Sequence, residues 1–470
     1  MKKPNIILIS IDTLRADHLS CYGYYRKTTP NIDNLASEGT IYLNNFSTGV
    51  WTPPAHASML TGLYVSEHGV YGDKRLADSV PTIATVLKGN EYQTSGFVNN
   101  SAVGALVGFD KGHDTFVEVW KGIKPKSIIE RIIRGGVRRI RKRLGYEDMG
   151  ADKTNKLFYD WIRNHMDKER PFYAFLHYIE PHNPLDPPYP YKNKYLNKKM
   201  FKNTDEPKIK KVANNPLICF VEDLSLNDDE IDILKALYDS EIEYTDSKIG
   251  EVVEILKENN LYDDTMVVIT SDHGEHLGEH NLWSHAASLY REILHIPLII
   301  KFPEGIEYIK KVDSYTQLVD IFPTVMKIAD IPENALNNNS GISLVYNKKN
   351  GNLFHDLVFA EWEGRIPYFI EKRLTGPKSS LITSKFVKKM WMVLDSKYKY
   401  ISSSDGQDEL YDLKNDKNEL NNLISKNQEV AARMKMKLAE WKSRRTKNIS
   451  KEQFIIDEEI KRNLEALGYI

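Results

Sequence analysis

Asp12, Thr52, Asp272 and His273 are the side chains of this sequence whose type and placement suit metal-assisted chemistry. Asp12 ends the apolar run Asn5-Ile6-Ile7-Leu8-Ile9-Ser10-Ile11, and Ser271-Asp272-His273-Gly274 ends another. Two carboxylates at neighbouring strand ends repel each other unless something positive neutralises them. Aspartate and histidine suit a divalent cation, although an Asp-His pair also serves as an ordinary strand-end turn. His273, His276, His280, His285 and His295 crowd into 23 residues, out of 13 histidines in the chain, which favours the metal. Thr52 opens Thr52-Pro53-Pro54-Ala55-His56-Ala57-Ser58-Met59-Leu60-Thr61-Gly62. The prolines keep a helix from starting before about Pro54, and small and apolar residues follow. A hydroxyl just ahead of a helix N-terminus sits where backbone N–H groups and the helix dipole favour anions. The plainer reading makes Thr52 an N-cap contributing about 1 kcal/mol and no chemistry.

The elements that must position these residues alternate between strand and helix. Asn5 to Ile11 is a continuous apolar run, the pattern of a parallel strand covered on both faces. A helix over Thr82–Lys88 precedes a strand near Thr94–Val98, and a helix ending near Met166 precedes a strand at Phe172–Tyr178. Asp239 to Thr270 reads as a helix around Ile242–Glu258, a turn at Leu261–Asp264 and a strand at Met266–Thr270, with a further strand at Ile296–Lys301. This order predicts an α/β fold, a large mostly parallel sheet flanked by helices, with its site at the carboxyl ends of the strands. Asp12 and Asp272 both fall at such ends. Past residue 345 the texture changes. Antiparallel strand material at Lys385–Ile401, a turn at Ser402–Gly406 and a helix at Asn427–Trp441 predict a smaller C-terminal α+β subdomain over 346–470, against a catalytic body over 1–345.

Composition narrows the function. With 41% hydrophobic residues the chain can bury a large core, which excludes wholesale disorder. A net charge of -1 carries no global polyanion signature, so no nucleic-acid partner is expected. Two cysteines, Cys21 and Cys219, exclude a disulfide scaffold and a cysteine-built zinc site. Ile6–Ile11 is too short for a signal-peptide core or a membrane span, so the expected compartment is the cytoplasm. Residues 121–143 stand apart, holding ten basic residues and one acid, Glu130. Ile128, Ile129, Ile132, Ile133, Val137, Ile140 and Leu144 share one side of a helical wheel, with most arginines opposite. That basic amphipathic insertion is either a solvated face or a contact for an anionic membrane surface.

The chain resembles the sulfatase family of the alkaline phosphatase superfamily. Pro4 to Thr13 matches the family's first strand and metal-binding aspartate, and Pro53 to Gly62 its nucleophile signature, ending in Ser-x-Leu-Thr-Gly. Ile179-Glu180-Pro181-His182-Asn183-Pro184 resembles a segment bearing an active-site histidine, and Asp272 to His280 matches the second metal-binding block. Asp320-Ile321-Phe322-Pro323-Thr324 and Glu409-Leu410-Tyr411-Asp412-Leu413 resemble later landmarks, so the likeness spans most of residues 4–425. The resemblance implies that Asp12, Asp272 and His273 hold one divalent cation, Ca, Mg, Mn or Zn, with Thr52 reaching it as nucleophile. It places His182 and His285 beside the transferred group or the leaving oxygen.

The departures from the family are chemical. Its usual nucleophile is a cysteine or serine converted to formylglycine, followed by a proline and an arginine; here those positions hold Thr52 and His56. A common lysine position is His285, and Thr13 replaces the second aspartate of the first pair. No formylglycine is expected. Threonine nucleophiles occur in superfamily relatives that cleave or transfer phosphodiesters and phosphonates. The leading expectation is therefore a metal-dependent hydrolase or phosphotransferase acting on phosphoesters or phosphonates through Thr52, with His182, His285 and His56 assisting. Its substrate is expected to be a small-molecule, glycan-linked or lipid-linked anionic ester. The alternatives are a sulfate ester hydrolase without formylglycine and a non-catalytic protein that binds an anionic partner.

Overall fold

The computed structural model describes residues 3–71, 74–122, 145–285, 287–332, 339–346, 354–366, 370–371, 378–445 and 458–466. The basic insertion expected over 121–143 lies, from residue 123 onward, outside the described residues. In chain order the strands of the body are β1 (Asn5–Ile11), β2 (Thr40–Phe46), β3 (Gln93–Val98), β4 (Thr115–Glu118), β5 (Phe172–Tyr178), β6 (Thr265–Ser271), the short ladder β7 (His276–Leu277) and β8 (Trp283–Ser284), then β9 (His295–Ile296), β10 (Leu298–Lys301) and β11 (Lys311–Gln317). Nine of them form one sheet in the order β11-β2-β10-β6-β1-β5-β3-β4, with β9 beside β2. β1 pairs in parallel with β5 and β6, and β10 runs antiparallel to β6 and β2. The sheet is mostly parallel, as its apolar runs predict.

All seven residues of β1 are buried, and their alternation divides them between two cores. Ile6 and Leu8 join the helices Thr52–Thr61 and Ile321–Ile328 on one face of the sheet. Ile7, Ile9 and Ile11 join the helices Pro30–Glu38, Ala151–Asn164 and Asp228–Glu258 on the other. A strand apolar on both sides can sit only at the centre of such a three-layer stack. Register then levels the strand ends, because Ile11 of β1 lies opposite Ser271 of β6. Asp12 and Asp272 emerge side by side for that reason.

A second sheet, β12 (Val358–Trp362), β13 (Met390–Leu394), β14 (Tyr398–Ser403) and β15 (Glu409–Asp412), is antiparallel throughout. Val358, Ala360 and Trp362 face Phe46, Val50 and Trp51 of the body. Phe359 faces the helix Gln428–Ser443, where Trp441 stacks on it at 4.5 Å. The residue preceding Thr52 is thus packed against the second sheet.

Two elements differ from the sequence reading. The helix expected around Ile242 starts at Asp228, capped by Asn227 and Glu230. Its middle turns carry Asp239, Glu241 and Glu243, acids that break the apolar periodicity, yet they are buried. Asp239 pairs with Arg26 and is hydrogen-bonded by His18 Nδ1 and the Tyr24 hydroxyl. The single strand expected at Ile296–Lys301 is split into β9 and β10 at Pro297, which has no N–H for a ladder. No helix among the described residues is long and apolar enough to cross a membrane.

Candidate active site

Three segments converge at the carboxyl edge of β1 and β6. The first is the turn after β1. Thr13 adopts φ 58, a left-handed conformation that is costly for a β-branched residue. That turn is held by the Thr13 N–H donating to Asp272 Oδ1 at 3.2 Å and by the Tyr238 hydroxyl donating to the Thr13 carbonyl at 2.6 Å. The second is the loop after β6, where Ser271 Oγ donates to the His273 carbonyl at 2.7 Å. The third is the helix Thr52–Thr61. Thr52 is its first residue and Trp51 its N-cap position, so Thr52 does not act as the N-cap. The helix also starts two residues earlier than the prolines suggested. First-turn N–H groups have no intrahelical acceptor, so Pro53 and Pro54 cost no bonds there.

Asp12, Asp272 and His273 each offer a ligand atom within 4.8 Å of the others, and all three are buried. Asp12 Oδ1 and Asp272 Oδ2 are buried without a hydrogen-bond donor among the described residues. Burial raises the Asp12 carboxyl above its ordinary value and lifts that of Asp272 to about 7. A divalent cation would neutralise such a pair, and two carboxylates with one imidazole are a donor set that suits Ca, Mg, Mn or Zn. His273 Nδ1 donates to the Gly274 carbonyl at 2.9 Å, which leaves Nε2 as the ring nitrogen that could serve as a ligand. Thr52 Oγ1 lies 3.3 Å from that nitrogen.

The other imidazoles surround this centre. His182 donates through Nδ1 to the Asn183 carbonyl at 2.7 Å, and its ring lies 5.1 Å from that of His285. His285 lies 4.5 Å from His273, ring to ring, and donates through Nδ1 to Glu275 Oε2 at 3.1 Å. Burial holds His273 and His285 down at about 4 and lowers His182 as well, so these rings are neutral near pH 7. His56 sits underneath. It donates through Nδ1 to the Thr52 carbonyl at 2.9 Å and takes a hydrogen bond from Ser10 Oγ at Nε2, 3.0 Å away. With both ring nitrogens engaged within the fold, His56 steadies the backbone of Thr52.

Three further residues belong to the site that motif reading did not assign. Asn100 Nδ2 donates to Asp12 Oδ2 at 3.0 Å from the loop after β3. His177, opposite Ser10 in the β1–β5 register, places Nε2 3.5 Å from Asp12 Oδ2. Glu275 orients His285, and burial lifts its carboxyl to about 7. Once β5 is paired with β1, His177 is findable from sequence. Asn100 leaves no such signal.

The arrangement offers a hydroxyl at a helix start, a cluster able to hold a cation, and two neutral imidazoles, which are the parts of a hydrolase for anionic esters. The Sulfatase family model matches residues 4–331. The chain is 26% identical over 475 residues to an uncharacterized sulfatase, YidJ, of Escherichia coli, covering 93% of this chain and 86% of that one. It is 26% identical over 468 residues to arylsulfatase K of Bos taurus, covering 93% and 81%. In fold it is similar to the phosphonate monoester hydrolase of Agrobacterium radiobacter, with a TM-score of 0.73 at 20% identity over 97% of this chain and 100% of that one. Motif order, sheet topology and family match agree, and the chain belongs to the sulfatase family of hydrolases.

Proposed function

We propose that this chain is a divalent-metal-dependent hydrolase or phosphotransferase of phosphate esters or phosphonates, with Thr52 as its nucleophile. The reading is carried by the Thr52 hydroxyl, set at the first residue of a buried helix 3.3 Å from the cluster nitrogen of His273. A cation bound by Asp12, Asp272 and His273 would lower the pKa of that hydroxyl and stabilise charge on the transferred group. Thr52 Oγ bonds to phosphorus as the bond to the leaving oxygen breaks. The Thr52 proton passes to the His182–His285 pair, which hands it to the departing alkoxide. In the second half, water or an acceptor hydroxyl gives its proton to the same pair, its oxygen displaces Thr52 Oγ from phosphorus, and the pair returns the proton to Thr52 Oγ. A threonine ester has no second hydroxyl and cannot collapse to an aldehyde, so both halves take place at the same central atom. The neutral histidines at the family's arginine and lysine positions leave the cation as the main positive charge, which favours an ester with one negative charge. A small-molecule ester, or one on a glycan or lipid, fits that charge, and residues 1–345 form the catalytic body beside a 346–470 subdomain.

A slow phosphoester or phosphonate substrate is expected to leave the Thr52 peptide heavier by about 80 Da, one HPO₃, or more if the group stays esterified. Thr52→Ala is expected to lose that adduct and at least about 10⁴-fold in kcat, with most metal binding kept. Rapid aryl sulfate hydrolysis with negligible phosphoester turnover would overturn the reading in favour of a sulfate ester hydrolase.

A further inference from the structure

Two chain segments that flank the candidate site meet beside it in a cleft of about 210 Å³. Ala287 and Ser288, just past His285, line one side, and Phe386 and Met390 line the other. The Phe386 carbonyl accepts the Arg365 N–H at 2.8 Å, and the Arg365 guanidinium lies 4.2 Å from the Trp51 ring centre. Trp51 precedes Thr52 in the chain, so both edges of the cleft lead back to the nucleophile and its imidazole partner. His285 and Trp51 are each 8% exposed, against 0% for Thr52, His182 and His273. Among these five residues, the exposure lies with the two that lead to the cleft.

The lining is chemically specific. Phe220 and Phe386 meet edge to face, 5.4 Å apart at 81°, and Leu282, Leu289 and Ile401 share the lining. Lys385 and Lys388 bring positive charge to the same cleft. Glu409, the carboxylate in the lining, accepts hydrogen bonds from the hydroxyls of Tyr290 at 2.9 Å and Tyr411 at 2.6 Å. Flat apolar walls beside two ammonium groups suit an aromatic group that itself carries a negative charge.

We propose that this cleft is the subsite for the alcohol part of the ester. It takes a flat, apolar alcohol bearing an additional anionic group, with its ring against Phe220 and Phe386 and its charge at Lys385 and Lys388. The proposal rests on the phosphoester reading for the identity of the transferred acid alone. The test is calorimetry on the metal-loaded protein with three phosphonates whose C–P bonds it cannot exchange: methylphosphonate, naphthylmethylphosphonate and a carboxylated naphthylmethylphosphonate. The naphthyl ligand is expected to bind about tenfold tighter than the methyl ligand, and the carboxylate to add about threefold. Lys385→Ala with Lys388→Ala is expected to remove the carboxylate's gain, and Phe386→Leu to reduce the aromatic gain. The lysine pair keeps the test decisive if Phe386→Leu fails to fold, because Lys385 is exposed. Equal binding of all three ligands, or gains that survive in the lysine variant, would overturn the subsite. Failure of all three to bind would count against the phosphoester reading instead, and the same three groups as sulfonates would then decide the cleft by the same comparison.

Discussion

Lys399 and Glu419, in the C-terminal part of the chain, face each other with both carboxylate oxygens 2.8 Å from Nζ and side chains 2% and 1% exposed. Asp12 and Asp272, at the edge of the large sheet, are equally buried, yet each keeps a carboxylate oxygen with no donor among the described residues. Both regions remove charge from water, and among the described residues the first pairs its carboxylate with a cation while the second does not. A buried carboxylate oxygen without a donor is costly enough that folds rarely keep one idle. Arg15 makes the contrast local, since it is bonded to Asp17 and Glu279 at 2.8 and 2.9 Å only three residues from Asp12. Arg15 thus lies near the strand edge and is paired with other acids. A cation from outside the chain, as proposed for this site, would supply the missing charge.

The sharpest way to break this contrast is Asp272→Asn. Turnover is expected to fall at least about 10³-fold, because a ligand of the proposed cation is lost. Chelation of the wild type is expected to do the same. In chelator the variant is expected to be more stable than wild type by about 1–3 kcal/mol, because a buried carboxylate facing Asp12 becomes neutral. Urea unfolding with and without chelator reads both effects. An Asn variant less stable than wild type in chelator would mean that Asp272 is neutralised within the chain after all.

The opposite sign is expected at the satisfied pair. Lys399→Met alone leaves Glu419 buried without its cation and is expected to cost about 3–5 kcal/mol. Lys399→Met combined with Glu419→Leu is expected to restore most of that loss, with turnover per folded molecule unchanged. If the double variant is no more stable than the single one, Glu419 is held by something other than Lys399.

How much of this was legible in the sequence follows the same division. Strands buried on both faces are written as unbroken apolar runs, so β1, β5 and β6 and the ends that carry Asp12 and Asp272 were readable. β2 and β11 were not, because Asn44, Asn45, Asp313 and Ser314 interrupt their apolar patterns. The long helix was read short because buried acids such as Asp239 look like solvent-facing ones until Arg26 and His18 are seen beside them. The cation cluster was reachable because motif order carries it. Asn100, His177 and Glu275 were missed as partners because nothing local marks a side chain whose only task is to hold another one.

Glu361 of β12 tests the ground between the two regions, and here the expected effect is the smallest. Its carboxylate is 2% exposed and accepts hydrogen bonds from Ser66 N–H at 3.1 Å and Ser66 Oγ at 2.9 Å. Like Asp272 Oδ1 it has uncharged donors, but among the described residues no cation is paired with it, unlike Glu419. Burial, with smaller contributions from Glu363 and Glu67, raises its carboxyl to about 7. Below the ordinary glutamate range the group is protonated in the folded and unfolded chains alike, and its contribution to stability is fully present. As pH rises toward 7 the unfolded chain releases the proton first, so stability falls and then levels off once the folded carboxyl ionises. Glu361→Gln is expected to flatten that slope, gaining about 1–3 kcal/mol on the wild type between pH 4.5 and 7.5. Urea titrations across that range, in a fixed excess of metal to hold the active site constant, measure the difference. Curves for the two proteins that stay parallel would show that the Ser66 donors satisfy Glu361 as fully as Lys399 satisfies Glu419.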